Sequence, residues 1–442
     1  MPKIEFTRVS IRDLLVAFGP MTLVVGLVCI VAYKLVDPAP PRVIDFSTGP
    51  EDSAYQRLAN QYVQDLAKND ITVRLQASQG SQENLQRISD PDSIIELGFV
   101  QSGSTDAEEA ESKGLVSLGS LFYEPLWVFY KGKKELTSIA QFKGKRINVG
   151  TEGMGVARLF KQIMSANDVG ENDVQLQRLD NDAAAEALAA GKLDALVMVS
   201  APDSPVLQEL LRSPDVKLFN FNQAEAYTRR FPFLSHVVLP RGIVDFGKNI
   251  PANDVHLISP TATLVAHESL HPALIGLILQ SAQKIHGRAG WFSRQAEFPS
   301  DRYTEIPVTR QAEKFYKNGP PFFQRYLSFW LANFLERMWV VLLALGALIL
   351  PLSKIIPPLY VWRIRSRVYR WYGQLRLVEH AIEELGEQNR DLVCQQQLKA
   401  LDELEGKVNH ISVPLAYAEE LYGLRSHIQF VRKRILYLQN PA

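Results

Sequence analysis

The hydrophobic residues of this chain follow different periods in different regions. Residues Leu14–Tyr33 are an apolar run interrupted only by Gly19, Pro20, Thr22 and Gly26, and Lys3, Arg8 and Arg12 precede it. A membrane-spanning helix needs about 20 such residues. The run closes in Tyr33-Lys34-Leu35-Val36, with no small-x-small cleavage site, and Val28 stands where a lipoprotein signal carries a small residue before its cysteine. This predicts an uncleaved signal anchor with a kink at Gly19-Pro20; a buried soluble helix is the alternative. A second apolar run, Trp339–Leu352, is short for a full span. Ser353-Lys354 interrupts it before Ile355–Trp362. Trp339, Tyr360 and Trp362 suit the two interfaces, and Lys354 can snorkel. Either a second span or a re-entrant hairpin at Pro357-Pro358 fits this pattern.

Between the two runs the period switches between 2 and 3.6. Asp37-Pro-Ala-Pro-Pro-Arg42 reads as a stiff linker. Val43–Ser47 reads as a strand, followed by a helix with Tyr55, Leu58, Tyr62 and Leu66 on one face. Ile71–Ala77 and Ile94–Val100 are further strands, with Ser81 placed to cap a short helix between them. Pro125–Tyr130, Lys145–Val149, Val174–Leu179, Leu193–Val199 and Thr261–Ala266 follow as strands. Val156–Ala166, Ala183–Ala190 and Pro272–Ile285 are the helices. This alternation predicts α/β folding on mostly parallel sheets, in two halves with a cleft at the carboxyl ends of the strands.

Charge places the ends. Arg363, Arg365, Arg367 and Arg370 follow the second run, as Lys3, Arg8 and Arg12 precede the first. Basic flanks mark the cytoplasmic side, so both termini are expected in the cytoplasm and the module outside. The expected division is therefore a cytoplasmic N-terminus 1–13, a signal anchor 14–36, and an extracytoplasmic module 37–337 whose second lobe covers about 128–235. A transmembrane helix 338–362 and a cytoplasmic helical tail 363–442 complete it. Lys+Arg and Asp+Glu are both 48, so no global basic field draws in nucleic acid. The two cysteines, Cys29 and Cys394, lie outside the module, which makes an intramolecular disulfide implausible.

No catalytic set stands out: the chain lacks a G-x-S-x-G elbow, a P-loop with its lysine and an H-E-x-x-H pair. No cofactor is expected. His267 ends a strand and His271 precedes Pro272, so their spacing of four does not put them on one helical face, and no metal is expected. Gly150-Thr-Glu-Gly-Met-Gly155 is different. Its glycines free backbone amides at a helix N-terminus, where the dipole favours an anion, and Arg158 adds a charged fork. A tight turn beside a solvated arginine explains the same residues equally well. Thr48-Gly49, Gln79-Gly80-Ser81 and Gln101-Ser102 each follow a strand, so their polar groups converge on the cleft. Tyr123, Glu124 and Trp127 lie at the crossover, where they either face a ligand or pack a hinge. The candidate ligand-binding set is thus Thr48, Gly49, Tyr55, Gln79, Gly80, Ser81, Gln101, Ser102, Tyr123, Glu124, Trp127, Thr151, Gly153, Met154, Gly155, Val156, Arg158, Val199 and Ser200.

Phe122-Tyr-Glu-Pro-Leu-Trp127, Phe142–Gly150 and Gly191–Leu196 carry a family resemblance, with Phe231-Pro-Phe233, Leu239-Pro-Arg-Gly242 and Asp254-Val255 after them. With these blocks, residues from about Arg42 to Gly287 resemble the solute-binding proteins of tripartite ATP-independent periplasmic (TRAP) transporters, of the TAXI branch. The resemblance implies a two-lobed, type II periplasmic-binding fold that closes on a small organic anion, such as glutamate, a dicarboxylate or a 2-oxo acid. It implies membrane permease subunits as partners and the bacterial inner membrane as location. The first turn, Ser47–Asp52, is poorer in glycine than in that branch, and Glu51 and Asp52 add negative charge at the mouth. A double anchor also departs from its usually secreted members.

Beyond Arg370 the spacing is helical again: Tyr372, Leu375, Val378, Ile382 and Leu385, then Leu392, Leu398, Leu401, Leu404 and Val408, then Leu421, Leu424, Ile428, Val431 and Ile435 after a break at Pro414. An intramolecular hairpin or a short dimerising coiled coil is expected. Two functions fit the whole: an anchored solute-binding protein feeding a transporter, or a receptor whose lobe closure is read by the tail.

Overall fold

A computed structural model describes residues 11–36, 39–51, 53–151, 153–384, 390–411, 413 and 417–439. The chain divides into two compact units, one made of residues 39–336 and the other of the flanks on either side.

The larger unit holds twelve strands: β1 (Val43–Ser47), β2 (Thr72–Gln76), β3 (Leu97–Gln101), β4 (Leu115–Tyr123), β5 (Leu126–Tyr130), β6 (Arg146–Asn148), β7 (Gln175–Gln177), β8 (Ala195–Val199), β9 (Lys217–Leu218), β10 (Ser235–Leu239), β11 (Val255–Ser259) and β12 (Thr261–His267). One five-stranded sheet has the order β2-β1-β3-β12-β4, and a second has the order β7-β6-β8-β5-β9; β10 and β11 pair on their own. These are the cores of two lobes. Each sheet has a parallel trio, β2-β1-β3 or β7-β6-β8. Each is then extended by antiparallel strands, because the chain crosses between the lobes twice. The sheets are therefore mixed rather than mostly parallel. β3 and β5 are buried along their whole length, which explains why they read as continuous apolar runs.

The first crossing is Glu124-Pro125 and the return is Pro260. The Glu124 amide donates to the Pro260 carbonyl at 2.9 Å, so the two crossing strands are tied where they pass. The second lobe therefore runs past residue 235, through β10 and β11 to Ser259. After the helix Pro272–His286, the chain returns along β4. Ser120 and Ser300 exchange backbone hydrogen bonds at 2.8 and 2.9 Å, and Ser117 donates to Pro307. This return segment packs Trp291, Phe292 and Phe298 on the second lobe's core.

Helix Ala54–Ala67 is capped by Ser53 and buries Tyr55, Tyr62 and Leu66. With helix Pro272–His286 it covers one face of the first sheet. Helix Ser81–Ser89 covers the other, through Leu85 and Ile88. In the second lobe, helix Gly155–Ser165 buries Val156, Leu159, Phe160, Ile163 and Met164.

In the flanking unit, a helix runs Ile11–Val36. A single helix runs Phe329–Glu383, straight through Pro351, Pro357 and Pro358, so the re-entrant hairpin does not form. Among the described residues it is the one helix long and apolar enough to cross a membrane; the apolar part of the first helix is the shorter stretch Met21–Lys34. Helices Arg390–Asn409 and Ala418–Gln439 pack against each other. They do not pack alone. Ile364, Val368, Leu375, Val378 and Ile382 of the long helix share their core, which makes a three-helix cluster. Arg432 joins Asp402 and Glu405, and Arg365 joins Glu420. The break at Pro414 lies outside the described residues, as do Lys3, Arg8, Asp52 and Leu385.

Candidate functional site

The cleft side of the first lobe is built from three strand-to-helix turns, and Asn84 ties them together. Asn84 is fully buried on helix Ser81–Ser89. Its amide donates to the carbonyls of Thr48 at 2.6 Å and Phe99 at 2.7 Å, and its oxygen accepts from the Ser47 hydroxyl at 2.6 Å. Ser78 donates to the Thr48 carbonyl as well. Thr48, Gly49, Gln79, Gly80, Ser81 and Gln101 are thus brought together as the turn positions predict. Ser81 is not a helix cap: Gly80 holds that position, and the Ser81 hydroxyl accepts from the Gln101 amide at 2.9 Å.

Tyr55 and Glu124 join this set from helix Ala54–Ala67 and from the crossing. The Tyr55 hydroxyl donates to Glu124 Oε2 at 2.9 Å. Glu124 is 7% exposed. Burial pushes its carboxyl up to about 7, and the bond from Tyr55 opposes this.

The second lobe presents the turn Gly150–Gly155 and the helix behind it. Met154, at the helix N-cap, makes no side-chain cap bond, so the first amides of this helix lack a protein partner of that kind. The lobes meet here. Gln82 donates its amide to the Gly153 carbonyl at 3.2 Å. Gly153 has φ +92°, and a Cβ there would stand 2.9 Å from Gln79 Cβ. A Cβ on Gly155 would stand 2.9 Å from Ser104 Oγ and 3.1 Å from Gln101 Oε1. Glycine at both positions lets the lobes close to backbone distance. The hydroxyl of Ser104 and Nε2 of Gln101 are buried without a hydrogen-bond partner; these side chains are 2% and 5% exposed. Native structures rarely leave such groups orphaned without a ligand or water to meet them.

The remaining predicted residues have other work. Arg158 donates to the Ser104 carbonyl at 2.6 Å, which makes it a link between the lobes rather than a free fork. The Ser102 hydroxyl is shared among Thr261, Thr263 and the Tyr303 carbonyl. Tyr123 donates to Glu297 at 2.8 Å. Trp127 is fully buried, and its indole N–H reaches the Ser200 carbonyl at 3.0 Å. Tyr123 and Trp127 therefore pack the hinge. Val199 ends β8, Thr151 opens the glycine turn, and Val156 is buried in the core. Thr48 is held by Gln56 and by the Gln76 carbonyl.

Sequence reasoning missed Asn84, Gln82, Ser104 and Phe233, whose ring covers Gly103 across the seam. Asn84 carried a signal: it shares one helical face with Ser81, Leu85 and Ile88, so a large polar side chain lies on the side of the helix that the apolar residues bury. A groove of about 750 Å³ flanks the seam, lined by Gln82, Arg158, Lys161, Arg178 and Arg230, with Glu171 opposite. Lys161 pairs with Glu171 at 2.8 Å. Across the seam Arg57 meets Asp203 at 3.5 Å. Among the described residues no group of three or more His, Cys, Asp or Glu is placed to hold a metal; His267 contacts Ser269, and His271 caps its own helix.

Solved structures similar to the chain include the alkanesulfonate-binding protein SsuA from Xanthomonas axonopodis pv. citri, bound to MOPS, at 14% identity over 56% of this chain and 74% of that one, with a TM-score of 0.37. The aliphatic sulphonate-binding SsuA from Escherichia coli is 13% identical over 56% and 73%, with a TM-score of 0.39. An ancestral arginine-binding protein bound to arginine is 11% identical over 57% and 96%, with a TM-score of 0.36. These values are too low to carry an argument about this chain's ligand. The family match is broader. Residues 48–317, from the first cleft turn to the end of the module's last short helix, match the NMT1-like family. That span holds every strand of both sheets except β1, together with both crossings, and on it this chain belongs to the NMT1-like family.

Proposed function

We propose that the module is an extracytoplasmic receptor that captures a small organic anion between its lobes by hinge closure. The observation that carries this is that the Gln101 and Ser104 side chains, whose Nε2 and Oγ are buried and unpartnered, lie against Gly155 at the uncapped N-terminus of helix Gly155–Ser165. A helix N-terminus offers amides and the positive end of its dipole to an anion. Two orphaned side-chain groups from the opposite lobe complete the coordination, and closure removes the ligand from water. The set is one of recognition, built of hydrogen-bond donors and a helix end.

The two apolar segments would hold the module at the outer face of the bacterial inner membrane with both termini in the cytoplasm. In the first reading it delivers its ligand to the permease subunits of a TRAP-type transporter, as the TAXI resemblance suggests. A receptor reading is favoured by one observation: the helix that follows the module continues into the three-helix cluster. Loss of ligand uptake on deletion of residues 390–442 would favour a tail-dependent receptor or regulated transporter; unaffected uptake would favour simple delivery.

Thermal-shift screening of the full-length protein in detergent, against amino acids, dicarboxylates, 2-oxo acids and sulfonates, tests capture. A ligand at 100 times its dissociation constant adds about 2.7 kcal/mol. Gln101→Leu is expected to abolish that shift without lowering the unliganded midpoint, because the lost amide nitrogen has no protein partner to strand. A full shift in Gln101→Leu, or no hit in the wild type, would refute this site.

A further inference from the structure

The cleft contains a buried acid that anion capture leaves unexplained. Glu124 lies on the crossing strand, its backbone held by Pro260. Its one side-chain partner among the described residues is Tyr55, on Oε2. Among the described residues Oε1 accepts no hydrogen bond, and no Arg, Lys or His pairs with this carboxylate. Of the elements packed around it, helix Ala54–Ala67 supplies Tyr55. Helix Pro272–His286 supplies His286, which is buried against Phe122 and held neutral by that burial, at about 3. Buried carboxylates are ordinarily paired with a cation or kept protonated. Here the described residues supply no cation.

The Glu124 carboxylate accepts from Tyr55, and in the same lobe the Ser81 hydroxyl accepts from the Gln101 backbone amide. The Gln101 side chain then lies against Gly155, at the positive end of the second lobe's helix. The closed lobes thus set an anion-accepting helix end and a buried carboxylate on the crossing strand in one unit.

We propose that Glu124 is the counter-charge for an ammonium group, so that the cleft takes ammonium-bearing carboxylates in preference to the matching 2-oxo acids, dicarboxylates or plain carboxylates. This rests on the anion site described above and assigns the other end of its ligand. A 2-oxo acid would turn a carbonyl oxygen toward the carboxylate, with no proton to share; an ammonium group gives a charge-assisted hydrogen bond to Oε1.

The experiment compares matched pairs on the full-length protein in detergent by calorimetry: alanine with pyruvate, glutamate with 2-oxoglutarate, and 4-aminobutanoate with butanoate. For whichever pair binds, the ammonium member is expected to bind at least about tenfold more tightly. Glu124→Gln keeps the shape and is expected to erase that preference while the carboxylate still binds. Should Glu124→Gln lower the unliganded midpoint, the wild type answers alone: the preference must shrink between pH 8 and pH 5.5, where Glu124 takes up its proton and the ligand amines do not. Equal or tighter binding of the non-ammonium members overturns the assignment and leaves the anion site standing. A preference that survives Glu124→Gln, or shows no pH dependence, gives the ammonium to another group. Binding of no member of any pair overturns this proposal and the anion site together.

Discussion

At the scale of single residues, the chemistry of the cleft turns on which polar groups have partners. Asn84 makes every bond its amide can make to the turns around it, and those turns are rigid as a result. Gln101 and Ser104 keep groups in reserve. Glu124 lies between these extremes, with one oxygen used and one open. Its titration has a consequence for stability that can be read without any ligand. Burial raises its folded-state pKa from 4.5 to about 7. Between those values the folded protein holds a proton that the unfolded chain has released, so this group's contribution falls as pH rises from about 4.5 to 7 and is constant above. Glu305, also pushed up to about 7 by burial, acts in the same direction. His286, lowered to about 3 by burial, acts in the opposite direction below pH 6.5. The raw stability curve therefore mixes signs, and the difference between the wild type and Glu124→Gln isolates one group. Denaturant unfolding of unliganded protein at pH 5 and pH 8 is expected to show the wild type losing ground to the variant at the higher pH. A difference that does not move with pH would mean that Glu124 titrates normally.

At the scale of elements, the helices around the cleft separate stability from function. Helices beginning at Ala54, Ala107, Asn181 and Arg310 are capped by Ser53, Asp106, Asp180 and Thr309. The helices beginning at Ser81 and Gly155, which meet across the seam, have Gly80 and Met154 at the cap and no side-chain cap bond. A capping side chain at Met154 would occupy the amides that an anion needs. Met154→Ser is therefore expected to raise the unliganded stability by about 1 kcal/mol and to reduce the ligand-induced thermal shift. A gain in both would show that the ligand does not use this helix end. Much of this layer was legible from the chain. The strand Val43–Ser47, the helix Gly155–Ser165 and the turn between its glycines follow from periodicity and from glycine placement, which act locally. What was not legible depends on partners distant in sequence. The nine-residue strand Leu115–Tyr123 was missed because serines and a glycine interrupt its apolar alternation; its burial comes from β12 on one side and the Ser300 segment on the other. Arg158 read as either a charged fork or a solvated side chain because nothing near it in sequence shows that the Ser104 carbonyl lies across the seam.

At the scale of the whole molecule, the apolar segments decide where the cleft works. The helix Phe329–Glu383 exceeds what one bilayer crossing requires, since about 20 residues suffice. Its later part is buried against the hairpin rather than exposed to lipid. The short apolar run that made a full span doubtful is thus one section of a longer helix, whose arginines at 363, 365, 367 and 370 suit the cytoplasmic boundary. The same logic places the module outside only if the first segment also spans, and one labelling experiment tests both. In a Cys29→Ser, Cys394→Ala background, Glu111→Cys on the module and Lys399→Cys on the tail are both exposed sites. A membrane-impermeant maleimide is expected to label Glu111→Cys in intact spheroplasts and Lys399→Cys only after permeabilisation. Labelling of both in intact spheroplasts would mean that the second helix does not cross. Labelling of neither would put the module in the cytoplasm, where the cleft would meet cytoplasmic ligands and delivery to a transporter from outside would be excluded.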